Sequence, residues 1–480
     1  MTNKLIDKYR KIPAPVKASL WFTLCNVIQK GISLISTPIF TRLMPAAQYG
    51  EYTNYQAWYQ IVSIFATLNL YYGVFNNGMT KYPDDRERFS SSMTGLTTVI
   101  TAALFLVYLI APGFWNDKMK LSSLFVYAMF IELLFVPAFN FWAAKERYDY
   151  KYRKLVVVTL IMAIGSPLLG VLTVLNTEYK AEARILSYVF VQACIGLVFY
   201  IYNMVKGKAF YIRDYWRFAL AFNIPLIPHY LSSQILNQAD RIMIGNMIGK
   251  GEAAIYSVAY NIAAIMQIVI TAINSSFTPY MYKSIKDGEC SGVRRNSKII
   301  ISLVGLACIG VMALGPEVIS IFAPVEYYDA IWIVPPVACA VYFKFLYPLF
   351  STVEFYYEKT GFVMIASCIA AGANIILNYI FIRIYGYYAA GYTTLFCYIL
   401  YSLAHYVFQR RVAAEHDLGG ALFDMRYIVV FSIFMLGTMT CMLFLYPYRI
   451  LRYMICAVLA AVLIYLFMKN RELFMKRKQQ

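Results

Sequence analysis

Two lysines stand in the middle of apolar runs, Lys30 and Lys344. A charge at the centre of a bilayer costs roughly 2.5–3.5 kcal/mol on insertion scales, so something must offset it. A water-filled cavity that receives an anionic group would do so, and so would an acid at similar depth such as Glu132. Lys30 shares one helical face with Ser19, Thr23, Asn26, Ser33 and Thr37, which recur at alternating steps of four and three. Gln56, Gln60, Ser63 and Thr67 form a second such face, Ser233, Asn237 and Asp240 a third, and Gln267, Thr271 and Asn274 a fourth. Lipid cannot satisfy these groups, so the faces point at protein or at water. Hydrogen bonding between helices is the plainer use of such residues. Arg42 and Arg241 sit at the ends of two of these runs, placed either to snorkel to the interface or to meet an anion.

A second constellation gathers Asp240 with Asn374 and Asn378, one helical turn apart, and with Thr393 and Thr394, all at similar depth in their runs. One carboxylate with amide and hydroxyl oxygens suits a hard monovalent cation, Na+, or a coupling H+. The alternative is that Asp240 simply pairs with the adjacent Arg241 or another basic residue. No other ion or cofactor is expected. The nine cysteines form no CxxC pair, and His229, His405 and His416 are scattered, so neither a metal site nor a catalytic triad is expected.

The elements that position these residues are apolar helices. Sixty per cent of the 480 residues are hydrophobic and 14% are charged, against roughly 25% charged in a soluble domain. Fourteen runs are long enough to span: 18–41, 54–76, 91–111, 121–143, 155–175, 184–205, 218–241, 253–280, 299–323, 330–355, 361–383, 390–409, 427–446 and 450–468. The charged opening from Met1 to Lys17 has no leader-like composition, so the first run is expected to be kept as a span. Roughly three quarters of the 43 lysines and arginines fall in the two tails and in every second loop, which places both termini in the cytoplasm. The net charge of +18 is therefore topological and does not indicate nucleic acid.

The chain repeats itself. TRLMPAAQYGEYTNYQ, starting at Thr41, returns as NMIGKGEAAIYSVAY, starting at Asn246, with Tyr52 in register with Tyr256. Six spans separate the two, an even number, so the halves are parallel repeats about an axis along the membrane normal. The expected fold is an all-α polytopic membrane protein of about fourteen transmembrane helices, in two six-helix lobes plus two further helices. The lobes are read as 1–205 and 206–415, and 416–480 holds the last two spans, packed at the periphery or forming a lipid groove. Two such lobes enclose a cleft and work by alternating access.

That hinge, the ADRIMIGNMIGKGEAAIYSVAY stretch from Ala239 to Tyr260 and the twin-lobe plan resemble the bacterial polysaccharide transport family, flippases of the multidrug/oligosaccharidyl-lipid/polysaccharide superfamily. The resemblance is clearest over 16–82 and 215–285. It implies a carrier of undecaprenyl-pyrophosphate-linked oligosaccharide, moved from the cytoplasmic to the outer leaflet of the bacterial inner (plasma) membrane for capsule or O-antigen assembly. It implies a basic cavity position at Lys30 and a sodium site at Asp240, Asn374 and Thr394, with Asn378 where relatives carry a second acid. Asn261 stands where relatives carry an arginine.

The expected substrate-binding set is thus Lys30, Lys344, Arg42, Asn26, Gln56, Gln60, Asn237, Arg241 and Asn261, and the coupling-ion set Asp240, Asn374, Asn378 and Thr394. Tyr55, Trp58, Tyr59, Tyr256 and Tyr260 offer faces to sugars. Expected partners are the polyprenyl-pyrophosphate oligosaccharide, membrane lipids, and the polysaccharide polymerase or glycosyltransferases of the pathway. A cation-coupled multidrug exporter is the alternative, disfavoured because the mid-membrane charges are mainly basic. A membrane polysaccharide polymerase would need a large outer loop, and these loops are short.

Overall fold

The computed structural model describes residues 14–469 apart from 72, 289, 358, 417 and 419–421. The chain opening before Ala14, the basic tail after Lys469 and the side chain of Ser19 lie outside that description. In lipid, backbone N–H and C=O groups must bond within the protein, which helices achieve locally. All regular structure among the described residues is accordingly helical.

The chain forms two compact units, Met1–Gln234 and Ile235–Gln480. The first holds α1 (Ala14–Leu43), α2 (Ala46–Thr67), α3 (Gly73–Lys81), α4 (Arg86–Ile110), α5 (Pro112–Met119), α6 (Ser123–Tyr148), α7 (Tyr152–Leu175), α8 (Lys180–Gly207), α9 (Arg213–Asn223) and the opening of α10 (Ile227–Met247). The second holds the rest of α10, then α11 (Lys250–Ala264), α12 (Met266–Lys286), α13 (Cys290–Ala313), α14 (Gly315–Phe322), α15 (Val334–Tyr356), α16 (Thr360–Tyr385), α17 (Ala389–Glu415), α18 (Met425–Leu445) and α19 (Arg449–Lys469).

Helices lie at all fourteen expected positions, but nine segments among the described residues are long and apolar enough to cross a membrane by those criteria alone. Helices α1, α2, α10 and α17 fall below them because their polar stripes dilute their apolar content. The second run differs most from expectation. Its helix ends at Thr67, where Leu68 and Asn69 turn left-handed (φ 48° and 54°). The Thr67 hydroxyl accepts the Asn69 N–H at 3.2 Å, and a separate short helix, α3, follows. The ninth run also breaks, at Leu314, with Pro316 seated in the first turn of α14, where its missing N–H costs nothing.

In the first unit α8 packs on α6, α7 and α4. Gly196 makes the approach to α6: a Cβ there would lie 2.6 Å from the Phe135 carbonyl carbon. Small residues at such contacts let helix backbones come close. In the second unit α15 is enclosed almost throughout from Val334 to Glu354, against α17, α13, α11 and α12. Helices α18 and α19 pack on α13. Arg452 of α19, buried, pairs with both Glu317 oxygens at 2.6 and 2.8 Å and donates to the Ala313 carbonyl. Beside this clamp an apolar groove of about 340 Å³ runs between α19, α13 and α11, lined by Cys456, Leu459, Leu306 and Ile262.

The repeated hinge has repeated geometry. Helix α1 ends at Leu43 and α2 begins at Ala46; α10 ends at Met247 and α11 begins at Lys250. Both boundaries keep the register of Tyr52 on Tyr256. The bond from Met44 N to Phe40 O (3.0 Å) has its counterpart from Ile248 N to Ile244 O (2.9 Å). The bond from Tyr49 N to Pro45 O (3.0 Å) has its counterpart from Ala253 N to Gly249 O (3.1 Å).

Candidate functional site

The residues expected to hold a coupling ion converge. Asp240 on α10 is fully enclosed, and so are Asn374 and Asn378 on α16, Thr394 on α17 and Tyr256 on α11. Asn378 and Asn374 donate to Asp240 Oδ1 at 2.6 and 3.2 Å. Thr394 and Tyr256 each donate to Oδ2 at 2.5 Å. Thr393 in turn donates to the Asn378 carbonyl. Four donors on one carboxylate make a closed network, the condition under which a buried charge is tolerated. The alternative pairing of Asp240 with Arg241 is not formed: Arg241 turns to Gln238 (3.2 Å) and Asn261 (3.4 Å).

The oxygen set fits a hard cation: one carboxylate, two amide carbonyls and two hydroxyls. Each amide would present its oxygen by rotating about its last torsion, and amide orientation is set by the network around it. Among the described residues no group of three or more His, Cys, Asp or Glu side chains is placed to hold a transition metal.

One turn away on α10 the residues of the second unit expected to bind substrate also meet. The Asn237 carbonyl accepts from Lys344 Nζ at 2.7 Å, from Tyr260 at 3.2 Å and from Tyr398 at 3.3 Å. Lys344 lies 5.5 Å from the Tyr398 ring centre, and the Arg241 guanidinium 4.7 Å from that of Tyr260, both within cation–π range. Lys344, Asn237, Arg241 and Asn261 are half-buried. The result is a wall with two cations, two tyrosines and two amides, sharing α10 and α11 with the Asp240 network.

In the first unit Lys30 and Asn26 are exposed on one face of α1, and Gln56 and Gln60 are half-buried on α2. Arg42 is exposed and donates to the Pro38 carbonyl at 2.9 Å. Glu132, offered above as a partner for a lysine, is buried and accepts from Tyr55 at 2.8 Å instead. Tyr55 and Tyr256 are therefore buried acid ligands and not sugar platforms in this structure; Trp58, Tyr59 and Tyr260 keep part of their surface.

Three groups escaped the sequence reading. Tyr398 lies one turn beyond Thr394 on the same face of α17, a continuation of a stripe already recognised at its first residue. Arg184 is buried in α8, its guanidinium 3.9 Å from the Phe40 ring centre and bonded to Tyr52 at 3.2 Å. It sat at the edge of an apolar run, where loop and helix are not separable by composition. The third is the buried His405–Glu354 pair, whose members stand 51 residues apart.

Solved structures share this helical fold. The chain is similar to a lipid II flippase MurJ in an inward closed conformation, with a TM-score of 0.68 at 13% identity, over 94% of this chain and 99% of that one. It is also similar to a multidrug resistance MATE family transporter of the MOP superfamily in an inward-facing conformation, with a TM-score of 0.63 at 12% identity, over 84% and 100%. At such identities the likeness is one of fold. Residues 16–285 match the polysaccharide biosynthesis protein family, and the chain belongs to that family. An uncharacterised membrane protein of Haemophilus influenzae is 22% identical over 288 residues, which is 57% of this chain and 67% of that protein.

Proposed function

We propose that this protein is a flippase that carries undecaprenyl-pyrophosphate-linked oligosaccharide repeat units from the cytoplasmic to the outer leaflet of the bacterial inner (plasma) membrane, by alternating access, for surface polysaccharide assembly. The observation that carries this reading is the cationic, tyrosine-lined wall around Lys344 and Asn237, one turn from the Asp240 network. A pyrophosphate needs positive charge and hydroxyl donors; Lys344, Arg241, Tyr260 and Tyr398 supply both. Lys30, exposed on the polar face of α1, is the matching cation of the first lobe. The lobes are residues 1–205 and 206–415, with both termini cytoplasmic. A bound cation at Asp240, Na+ or H+, supplies the charge change that biases one state of the carrier over the other. Because Asn237, Asp240 and Arg241 lie on one helix, filling the acid site moves the wall that holds the head group. The polymerase or glycosyltransferases of the pathway are the partners at either end.

The test is direct. Vesicles containing the protein and a polyprenyl-pyrophosphate oligosaccharide are treated with an impermeant sugar-modifying reagent, and labelling of the opposite leaflet is followed. Protein-dependent translocation that is lost in Lys344→Met supports the reading. Cationic dye efflux without oligosaccharide translocation would replace it with a multidrug exporter.

A further inference from the structure

One face of α9 is fastened to the first unit. Tyr215, Ala219 and Asn223 recur at steps of four and are buried. Tyr215 donates to Asp85 at 2.9 Å, and Asn223 donates to the Leu68 carbonyl at 2.5 Å. Trp216 Nε1 donates to the Ser92 carbonyl at 3.0 Å, and the Ile212 N–H to the Ser92 hydroxyl at 3.2 Å. A Cβ on Gly95 would collide with the Phe210 carbonyl oxygen, so the chain entering α9 lies directly on α4.

Another face of α9 is open. Arg213, Arg217, Leu220 and Ile224 recur at steps of four, three and four. With Trp216 and Pro225 they line an open groove of about 580 Å³. Both arginines are exposed, and neither makes an ion pair or hydrogen bond among the described residues. Asp85 is taken by Tyr215 and stands 3.7 Å from Arg88, while Asp214 is exposed and lies outside the lining. The groove therefore runs from two uncompensated cations to apolar side chains, over about 16 Å of helix. Its place in the chain fixes its depth. The apolar run that becomes α10 begins at residue 218, halfway along α9, and continues through a 3-10 turn, Ile224–Leu226. The arginines stand at the edge of that run, and Leu220 and Ile224 stand inside it. Tyr211 and Trp216, with ring centres 4.7 Å apart, flank the arginines, and such aromatic residues favour the membrane–water interface.

We propose that this groove binds an anionic phospholipid of the surrounding bilayer, with its phosphate between Arg213 and Arg217 and an acyl chain along Leu220 and Ile224. Guanidinium groups meet phosphate oxygens in pairs of parallel hydrogen bonds, and spacing of four residues sets the two side chains next to each other for one phosphate. A soluble anion would use the arginines alone; the apolar half of the groove is matched by a chain. A zwitterionic lipid brings its own ammonium to the arginines and gains less, whereas basic residues at this level attract anionic lipid. On the topology proposed above the leaflet is the cytoplasmic one. The site itself does not depend on which substrate is carried.

The full-length protein, stripped of lipid in detergent, is titrated with phosphatidylglycerol or with phosphatidylcholine of the same chains, and bound lipid is counted by native mass spectrometry. The wild type is expected to hold one phosphatidylglycerol more tightly than any phosphatidylcholine. Arg213→Gln together with Arg217→Gln should weaken that binding about thirtyfold, the loss of two basic contacts to an anionic lipid. Lys206→Gln together with Lys208→Gln removes the same charge from exposed positions outside the groove and should leave it in place. Equal retention of the two lipids by the wild type overturns the site, and that readout needs only the wild-type fold. Equal losses in the two double variants reduce the effect to net charge and overturn it as well. Displacement by glycerol phosphate, a head group without chains, would make the groove a soluble-anion site. Preferential displacement by polyprenyl-pyrophosphate oligosaccharide would give it to the carried lipid instead.

Discussion

Lys344 and Asp240 are joined through a single residue. Lys344 donates to the Asn237 carbonyl at 2.7 Å, and Asn237 stands one turn before Asp240 on α10. The cationic wall and the acid network are therefore built on the same helix. Lys344→Met keeps the stem and removes the charge. Asn237 still accepts from Tyr260 and Tyr398, so the fold should lose only about 1 kcal/mol. Translocation should fall at least tenfold while the thermal midpoint moves little. A midpoint that collapses with transport would assign Lys344 to structure and not to the substrate.

The Asp240 network predicts ligand-linked stability. An ion bound by the folded state and not by the unfolded one stabilises by about 2.7 kcal/mol at a hundredfold excess over its Kd. Thermal unfolding of the wild type should therefore shift upward with Na+ over choline as the control salt, or with acidification if the ligand is H+. Asp240→Asn should erase the shift, since the amide cannot supply the anionic oxygen that Asn374, Asn378, Thr394 and Tyr256 surround. Equal midpoints for the wild type in all three conditions would remove ion binding from this cluster.

Much of that cluster was legible because helix periodicity is strict. Asn374 and Asn378 are one turn apart, and an acid inside an apolar run has few partners to choose from. Tyr256 and Tyr398 were less legible. Forty-three tyrosines crowd this sequence, most membrane tyrosines serve the interface, and nothing local marks the one whose hydroxyl meets a carboxylate. The registered tyrosines show the limit well. Tyr52 and Tyr256 occupy the same place in the two hinges, yet one bonds Arg184 and the other Asp240. The end of α2 was hidden for another reason. Apolar residues continue past Thr67, and neither Leu68 nor Asn69 is a glycine that would announce a left-handed turn.

Helix contact in the first unit rests on a missing side chain. A Cβ on Gly196 would stand 2.6 Å from the Phe135 carbonyl carbon and 2.8 Å from its oxygen, both backbone atoms that cannot rotate away. Gly196→Ala should force α8 off α6 and destabilise by about 1–3 kcal/mol. Gly372, with open space around its Cβ position, provides the matched control. Thermal unfolding of both variants in the same detergent checks the contrast, and equal midpoints would refute the close approach.

Asp424 gives a pH-dependent contact outside the spans. It caps α18 by accepting the Tyr427 N–H at 3.2 Å, and it accepts from Lys298 at 2.5 Å. The Lys298 ammonium first, and then the Tyr427 N–H, hold its carboxyl below the usual carboxylate range. A lowered folded value means that the contribution is complete above the unfolded value of about 3.9 and is lost as pH falls through the folded one. Asp424→Asn should therefore lower the thermal midpoint by a constant amount from pH 8 to pH 5. The gap to wild type should close only below about pH 4. A gap that closes near neutral pH would contradict the assignment.

Lys30 separates a structural reading from a functional one most cleanly. It is exposed on α1, beside Asn26 on the same face, while Glu132 is taken by Tyr55. Exposed substitutions away from special features shift stability by no more than about 0.5 kcal/mol. Lys30→Ala should therefore reach the membrane in normal amount with an unchanged thermal midpoint. If Lys30 meets the pyrophosphate, the same variant should lose at least tenfold in translocation, and Lys30→Arg should recover most of it because the charge returns. If its role were only to snorkel toward the interface, Ala and Arg would both transport like the wild type. Surface polysaccharide measured in cells that express each variant at matched levels distinguishes the two, and a normal level with Lys30→Ala would remove this residue from substrate binding.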